Sequence, residues 1–301
     1  MKLLNRIAAS LSQPRATWFR YRVHHRSHQV MQAYAQRARA SGVNGLFLVL
    51  SFDCDTDEDA EVAWEVQQRL NDMGVYPVYA VCGELLRRSA PVYRRIADSG
   101  SEFINHGGRQ HTEIDPDTGL YRSCFFYDRL PRETIREDIL AGDQAVREVI
   151  GRPPSGFRAP HFGTFQARED LRFQHELGQA LGYRYCTTTL PEWGLRRGPL
   201  FKDFGLYEFP VSGRGSAMDV ILDSWCCFQA PDRILGPDDY LREATHALSL
   251  YAHGGAGVLN YYADPCHVAA QPRFFEAVAE WVKLAKPCSY SELLDEIEGH
   301  R

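Results

Sequence analysis

A chain of 301 residues with 44% apolar and 24% charged residues can bury one large core, and no stretch approaches the roughly 18 consecutive apolar residues of a membrane-spanning helix. The net charge of −5 is unevenly spread: residues 1–52 hold Lys2, Arg6, Arg15, Arg20, Arg22, Arg26, Arg37 and Arg39 and no Asp or Glu, leaving 26 basic against 39 acidic groups, or −13, for the rest. Because the basic pattern stops at residue 52, a nucleic-acid-binding protein is not expected.

The chain opens with a basic N-terminal extension, residues 1–42. Within it Arg15 to His28, RATWFRYRVHHRSH, mixes cations with Trp18, Phe19 and Tyr21. That mixture suits peripheral contact with an anionic membrane surface or a phosphate-bearing partner, or a helix laid against the acidic body. Met1 to Leu11 has an apolar run broken by Asn5 and Arg6 and does not read as an export signal. Eight cysteines without a CxxC pair read as reduced thiols, as in a cytoplasmic protein.

Residues 43–301 read as one domain. Leu46 to Leu50 is an unbroken apolar run, the mark of a strand covered on both faces, and it ends in the acidic cluster FDCDTDED. Ala60 to Met73 follows at helical spacing and Gly74 stops it. Val75 to Cys82 is the next strand, Glu84 to Ser99 helical, and Ser101 to Asn105 a short strand ending at His106. Gly107 to Leu130 is loop-rich. Pro131 starts a helix to Ile150, Ser155 to Arg158 is a strand, and Arg168 to Leu181 a helix closed by Gly182. Tyr183 to Thr188, Leu206 to Val211 and Val258 to Tyr262 complete seven strands, with helices at Pro237 to Tyr251 and Pro272 to Leu284. Strands alternating with helices imply right-handed parallel crossovers, and seven of them point to an α/β fold, a single distorted (β/α) barrel.

In such a barrel the site lies at the C-terminal strand ends. Asp53 and Asp55 end the first strand, and their spacing lets one hold a metal while the other takes a proton. Asp57, Glu58 and Asp59 read as a helix start. His106 and His111, in NHGGRQHTE, end the third strand; two imidazoles and a carboxylate can hold a metal such as zinc and leave room for water. Arg158, in GFRAPHFG, ends the fourth and can anchor a carboxylate bidentately, orienting an aspartate base and lowering its pKa. The seventh strand ends in Asp264 and His267, in VLNYYADPCHVAA. Cys186 to Thr189 offers hydroxyls that would line the site.

From about Leu46 to Ile297 these motifs, in order, resemble the polysaccharide deacetylase family, the carbohydrate esterases with a NodB homology domain. SFDCDTDED resembles the family's first motif in a variant with one residue between its two aspartates. The resemblance implies Asp53 as catalytic base and Asp55, His106 and His111 as metal ligands, with Arg158 holding the base. It departs in three places. The histidines are five apart where four is usual, the tryptophan-containing fourth motif is not clear although GYRYCTTT resembles the strand where it would begin, and a His-Pro-like pair is replaced by Asp264-Pro265 with His267 beyond. Either Asp264 or His267 would be the general acid, and imidazole chemistry favours His267.

The expected activity is metal-dependent N-deacetylation of a carbohydrate, an intracellular intermediate of envelope or exopolysaccharide assembly, lipid-linked forms included. Zinc is the default metal, with cobalt, nickel and manganese as alternatives. Two rival readings are a hydrolase of a small non-sugar amide such as a ureide, and a degenerate barrel that binds saccharide without hydrolysing it.

Overall fold

The computed structural model describes residues 14–117, 121–230 and 233–299. The stretch Met1 to Leu11 lies outside the described residues. Seven parallel strands form the centre: β1 (Leu46–Cys54), β2 (Val78–Val81), β3 (Phe103–Asn105), β4 (Gly156–Phe157), β5 (Tyr185–Cys186), β6 (Leu206–Glu208) and β7 (Gly257–Ala263). They run in the order β7-β1-β2-β3-β4-β5-β6, so the seven strands expected from the sequence are the seven of a curled, distorted barrel. Phe201–Asp203 adds an antiparallel strand on β6, and Lys286–Pro287 pairs with the start of β1. β1 is buried along nearly all its length, as its apolar run requires, and pairs with β7 from Leu46↔Gly257 to Phe52↔Ala263.

No regular ladder joins β6 to β7, because Pro210 follows β6 and has no N–H to donate. Asn260 bridges the gap. Its side-chain amide donates to the carbonyls of Phe209 (3.1 Å) and Pro210 (3.0 Å), its backbone N–H donates to Ser212 Oγ (2.9 Å), and its carbonyl accepts from Ser212 N–H (2.7 Å).

The helices cover the outside. We label α1 (Pro14–His25), α2 (Ser27–Ala40), α3 (Asp57–Asn71), α4 (Arg132–Ile150), α5 (Arg168–Leu181), α6 (Pro237–Gly254), α7 (Pro265–Val268) and α8 (Tyr290–Glu298). α2 places Val30, Met31, Tyr34, Ala35 and Ala38 at helical spacing, all buried, and the Tyr34 hydroxyl donates to Val258 O at 3.2 Å. Residues 27–40 thus contribute to the core.

The structure corrects several sequence readings. The helix expected over Glu84 to Ser99 is two, Gly83–Arg88 and Ala90–Asp98, broken at Ser89, and Pro91, in the first turn of the second, has no N–H with which to continue the first. The loop after His106 contains an antiparallel hairpin, Thr112–Ile114 with Tyr121–Ser123. A second hairpin, Gly213–Arg214 with Ala217–Ile221, and helix α8 were not anticipated.

Replacing Asn260 with alanine leaves two buried carbonyls without donors. Urea unfolding should show a loss of about 2 kcal/mol or more, and a change below about 0.5 kcal/mol would mean that this closure contributes nothing.

Candidate active site

The strand ends place the expected residues in one cleft of about 730 Å³, lined among others by Asp53, Asp55, His106, His161, Asp264 and His267. Beneath it lies the Arg158 guanidinium, fully buried. Nη1 donates to Asp53 Oδ1 at 2.5 Å, Nη2 to Ser51 Oγ (2.8 Å) and to the Tyr290 hydroxyl (2.9 Å), and Nε to Thr187 O (3.3 Å). Tyr290 donates onward to Asn260 Oδ1 at 2.6 Å. The polar floor is therefore continuous with the barrel closure. Thr187, Thr188 and Thr189, expected to line the site, lie behind it, with Thr188 and Thr189 turned to Glu208.

Asp55, His106 and His111 converge. Asp55 Oδ1 lies 2.7 Å from His111 Nε2 and 3.6 Å from His106 Nε2, and the imidazoles stand edge to face with centroids 4.7 Å apart. Asp55 Oδ1 and both His111 ring nitrogens are buried with no hydrogen-bond partner of acceptable geometry. Close approach without alignment is what atoms aimed at a common third centre show, and buried polar atoms are rarely left unsatisfied. The N, N, O donor set fits a borderline divalent cation. His106 Nδ1 lies 2.8 Å from Arg158 O, which fixes the ring and leaves Nε2 to the cluster. Burial pushes the His106 imidazole down to about 4, the neutral form a ligand needs. Burial acts to raise Asp55, but His111 and His106 outweigh it and hold the carboxyl at about 2.

The five-residue histidine spacing is accommodated by the Gly107–Gly108 turn. Gly107 has φ +81°, and a Cβ there would come within 2.5 Å of Asp138 Oδ2. At Gly108 it would meet Ala141 Cβ at 2.6 Å. The turn is pinned by Gly83 N–H to Gly107 O (2.9 Å), Glu84 N–H to Gly108 O (2.8 Å) and Arg109 N–H to Asp138 Oδ1 (2.8 Å). The Thr112 hydroxyl then donates to Asp55 O at 2.9 Å, tying the loop to β1.

Opposite, His267 sits on the short helix α7. Its Nδ1 lies 3.1 Å from Ser224 Oγ and 3.3 Å from Asp264 Oδ2, and Trp225 packs on its ring at 5.4 Å. Burial, reinforced by Asp59, Asp55 and Asp53, raises the Asp264 carboxyl well above its usual range, while burial lowers His267. The carboxyl is thus drawn toward its protonated form and the imidazole toward its neutral one.

Asp59 does more than start a helix. Thr56 caps α3, with Asp59 closing the capping box. Asp59 Oδ2 also accepts from Asp55 N–H (3.0 Å), and Oδ1 accepts from Cys266 N–H (3.1 Å). One carboxylate thus ties the Asp55 loop to the helix carrying His267.

Sequence reasoning missed Asp223, Ser224, Trp225 and Tyr290. Trp225 stands in a π-helical turn, 225–229, where no periodicity marks it, and it lines the cleft. His161 also enters the cleft, at φ +60°, with its ring 5.2 Å from His111 and Nε2 2.7 Å from Cys124 O.

A convergent Asp/His/His cluster beside an arginine-held aspartate is chemically suited to metal-assisted hydrolysis. Over residues 41–185 the chain matches the model of the polysaccharide deacetylase family. That range includes Asp53, Asp55, His106, His111 and Arg158; Asp264 and His267 lie beyond it. No curated protein matches the chain. Among solved structures, a Mycobacterium smegmatis protein assigned as a polysaccharide deacetylase is 20% identical, with 85% of this chain and 92% of that one aligned and a TM-score of 0.59. One from Pseudomonas aeruginosa PAO1, assigned likewise, is 13% identical over 90% and 94%, and PuuE allantoinase is 13% identical over 84% and 91%, both with TM-scores of 0.59. These likenesses speak for a shared fold.

A second cluster, His175, Cys186 and Glu208, has metal-ligand chemistry but no orphaned atoms. His175 Nδ1 faces Asp203 O (2.8 Å) and Nε2 faces Glu208 Oε2 (2.9 Å), so both nitrogens donate and the ring is an imidazolium. Burial opposes that charge, but Cys186 and Glu208 outweigh it and hold the imidazole up to about 11. With the folded value above the unfolded one of about 6.5, this stabilisation is complete below about pH 6.5 and is lost as pH rises toward about 11. Unfolding free energy should therefore fall between about pH 7 and pH 9 by up to about 1.4 kcal/mol per pH unit, and His175→Gln should flatten the curve. Parallel curves would exclude the imidazolium.

Proposed function

We propose that the chain is a divalent-metal-dependent hydrolase that removes N-acetyl groups from a carbohydrate. The observation that carries this reading is the orphaned, mutually facing set Asp55 Oδ1 and His111 Nε2, with His106 Nε2 beside them, next to an aspartate fixed by a buried arginine. Asp55, His106 and His111 would hold the cation, which when bound polarises an amide carbonyl and lowers the pKa of water. Zinc suits the donor set best, with cobalt, nickel and manganese as competitors.

The chain's own groups do the rest. Asp53 takes the proton of the attacking water with the oxygen that Arg158 leaves free, while Arg158 holds the other. His267, beside Asp264 and oriented by Ser224, protonates the departing amine as the C–N bond breaks. The products are acetate and a free amino sugar. Trp225, Phe162 and Tyr262 give the cleft aromatic walls on which a sugar ring can stack.

The substrate in this reading is an intracellular intermediate of envelope or exopolysaccharide assembly, lipid-linked saccharides included. Cys54, Cys82, Cys124, Cys186, Cys227 and Cys266 are free, as expected of a reducing compartment such as the cytoplasm, and among the described residues no helix is long and apolar enough to cross a membrane. The likeness to an allantoinase, as strong in TM-score as the others, favours one alternative, hydrolysis of a small non-sugar amide on the same scaffold.

Elemental analysis of the purified chain should find about one divalent cation per site, absent from Asp55→Ala and His106→Ala; unchanged content in both variants would sink the proposed centre. Asp53→Asn should keep the metal and lose about 10²- to 10⁴-fold in rate. Acetate released from N-acetylated glycans supports the carbohydrate reading, and ammonia released from small amides supports its alternative.

A further inference from the structure

Helix α1 and the start of α2 bear arginines and histidines and no acidic residue. The inward side of α1 is set by buried Val23 and by Phe19, which packs on the core and has the Arg196 guanidinium 3.8 Å from its ring centroid. At 3.6 residues per turn, Trp18, Tyr21 and His25 fall on the opposite side. They form a ladder of rings there, Trp18 stacked on Tyr21 at 5.4 Å and Tyr21 beside His25 at 4.6 Å. Trp18 is 58% exposed and Tyr21 47%. Arg20, Arg22 and Arg26 flank them, exposed, and among the described residues no carboxylate pairs with them.

Water is a poor environment for a stacked Trp–Tyr pair, and unpaired arginines around it call for negative charge. Both needs are met at a lipid headgroup layer, where Trp and Tyr rings settle and arginines meet anionic lipids. A polyanionic chain fits less well, because the remainder of the protein carries −13 and repels it along any path off this helix. The same negative body leaves this face as the one drawn to an anionic surface.

Its position relative to the cleft is also fixed. α1 packs on the hairpin strand Ala217–Ile221, with His24 Nε2 3.5 Å from Asp219 Oδ1. Ile221 at the end of that strand, and Asp223 and Trp225 just beyond, line the cleft. We propose that the outward face of α1 docks on an anionic lipid bilayer, with Trp18 and Tyr21 among the headgroups and Arg20, Arg22 and Arg26 against their charges. The docking helix is one strand from the rim of the site, so a lipid-borne substrate would be presented beside the cleft. The docking itself stands apart from the reaction assigned there.

The test is co-sedimentation of the full chain with vesicles of equimolar phosphatidylglycerol and phosphatidylcholine, against phosphatidylcholine alone. Binding is expected on the first only, weakening as salt rises. Each arginine removed should cost roughly fivefold in affinity, so the Arg20→Gln/Arg22→Gln/Arg26→Gln variant should bind about 100-fold more weakly. Brominated lipid should quench tryptophan emission in the native chain and much less in Trp18→Phe. Hydrolysis of a soluble substrate should be unchanged in all these variants, so failure of the proposed reaction and failure of docking are read separately. Equal binding to neutral vesicles, native-like binding by the triple arginine variant, or unaltered quenching in Trp18→Phe would each overturn the proposal. So would tighter capture by heparin than by anionic vesicles, which would make the partner a polyanion.

Discussion

The buried Arg158 guanidinium is the constraint on which the rest depends. Taking such a charge out of water costs several kcal/mol, recovered only when its donors are met. Here four groups from three places in the chain meet them: Asp53 and Ser51 on β1, Thr187 after β5, and Tyr290 on the last helix. The requirement draws both sides of the barrel and its terminal helix to one point. It also explains why the interior is polar: with an arginine at the centre, Asn260, Ser51 and Tyr290 fit where valine or leucine would leave donors unpaired.

The two halves of the site rest on different kinds of support. The Asp55, His106 and His111 side is held by backbone packing, with glycines at 107 and 108 allowing the turn to press against α4 and Asp138 anchoring it. The Asp264 and His267 side is held by side chains, Ser224 on Nδ1 and Trp225 on the ring face. The family match ends at residue 185, and only the first half falls within it.

Much of this was legible in the sequence, for a physical reason. Seven buried strands declare themselves because a strand covered on both faces is an unbroken apolar run, and Leu46 to Leu50 is the clearest example. Strand ends then place Asp53, Asp55, His106, Arg158, Asp264 and His267 without any knowledge of side-chain direction. What stayed hidden depends on long-range contact. Tyr290 opens an ordinary capped helix, Ser289 with Glu292, and nothing local says that its hydroxyl reaches an arginine 132 residues away. Trp225 lies in a π-helical turn outside both the 3.6 and 2.0 periods. The hydroxyls of Thr188 and Thr189 were assigned to the site from position alone, whereas Glu208, held against His175, claims the Thr189 hydroxyl and both backbone N–H groups.

The double attachment of Asp59 sets how the cleft can behave. A carboxylate whose two oxygens bind the backbones of Asp55 and Cys266 acts as a rigid spacer between the loops that bear opposite ends of the chemistry. Those loops cannot separate without breaking one of these two part-buried hydrogen bonds. Widening the aperture between them requires one of these bonds to break. Selection among ligands then falls to a fixed gauge, in which a guest is accepted or refused by its thickness at that point. Any adjustment to larger guests must come from the outer rim, where the Trp225 turn and the Thr112–Ser123 hairpin stand free of this spacer.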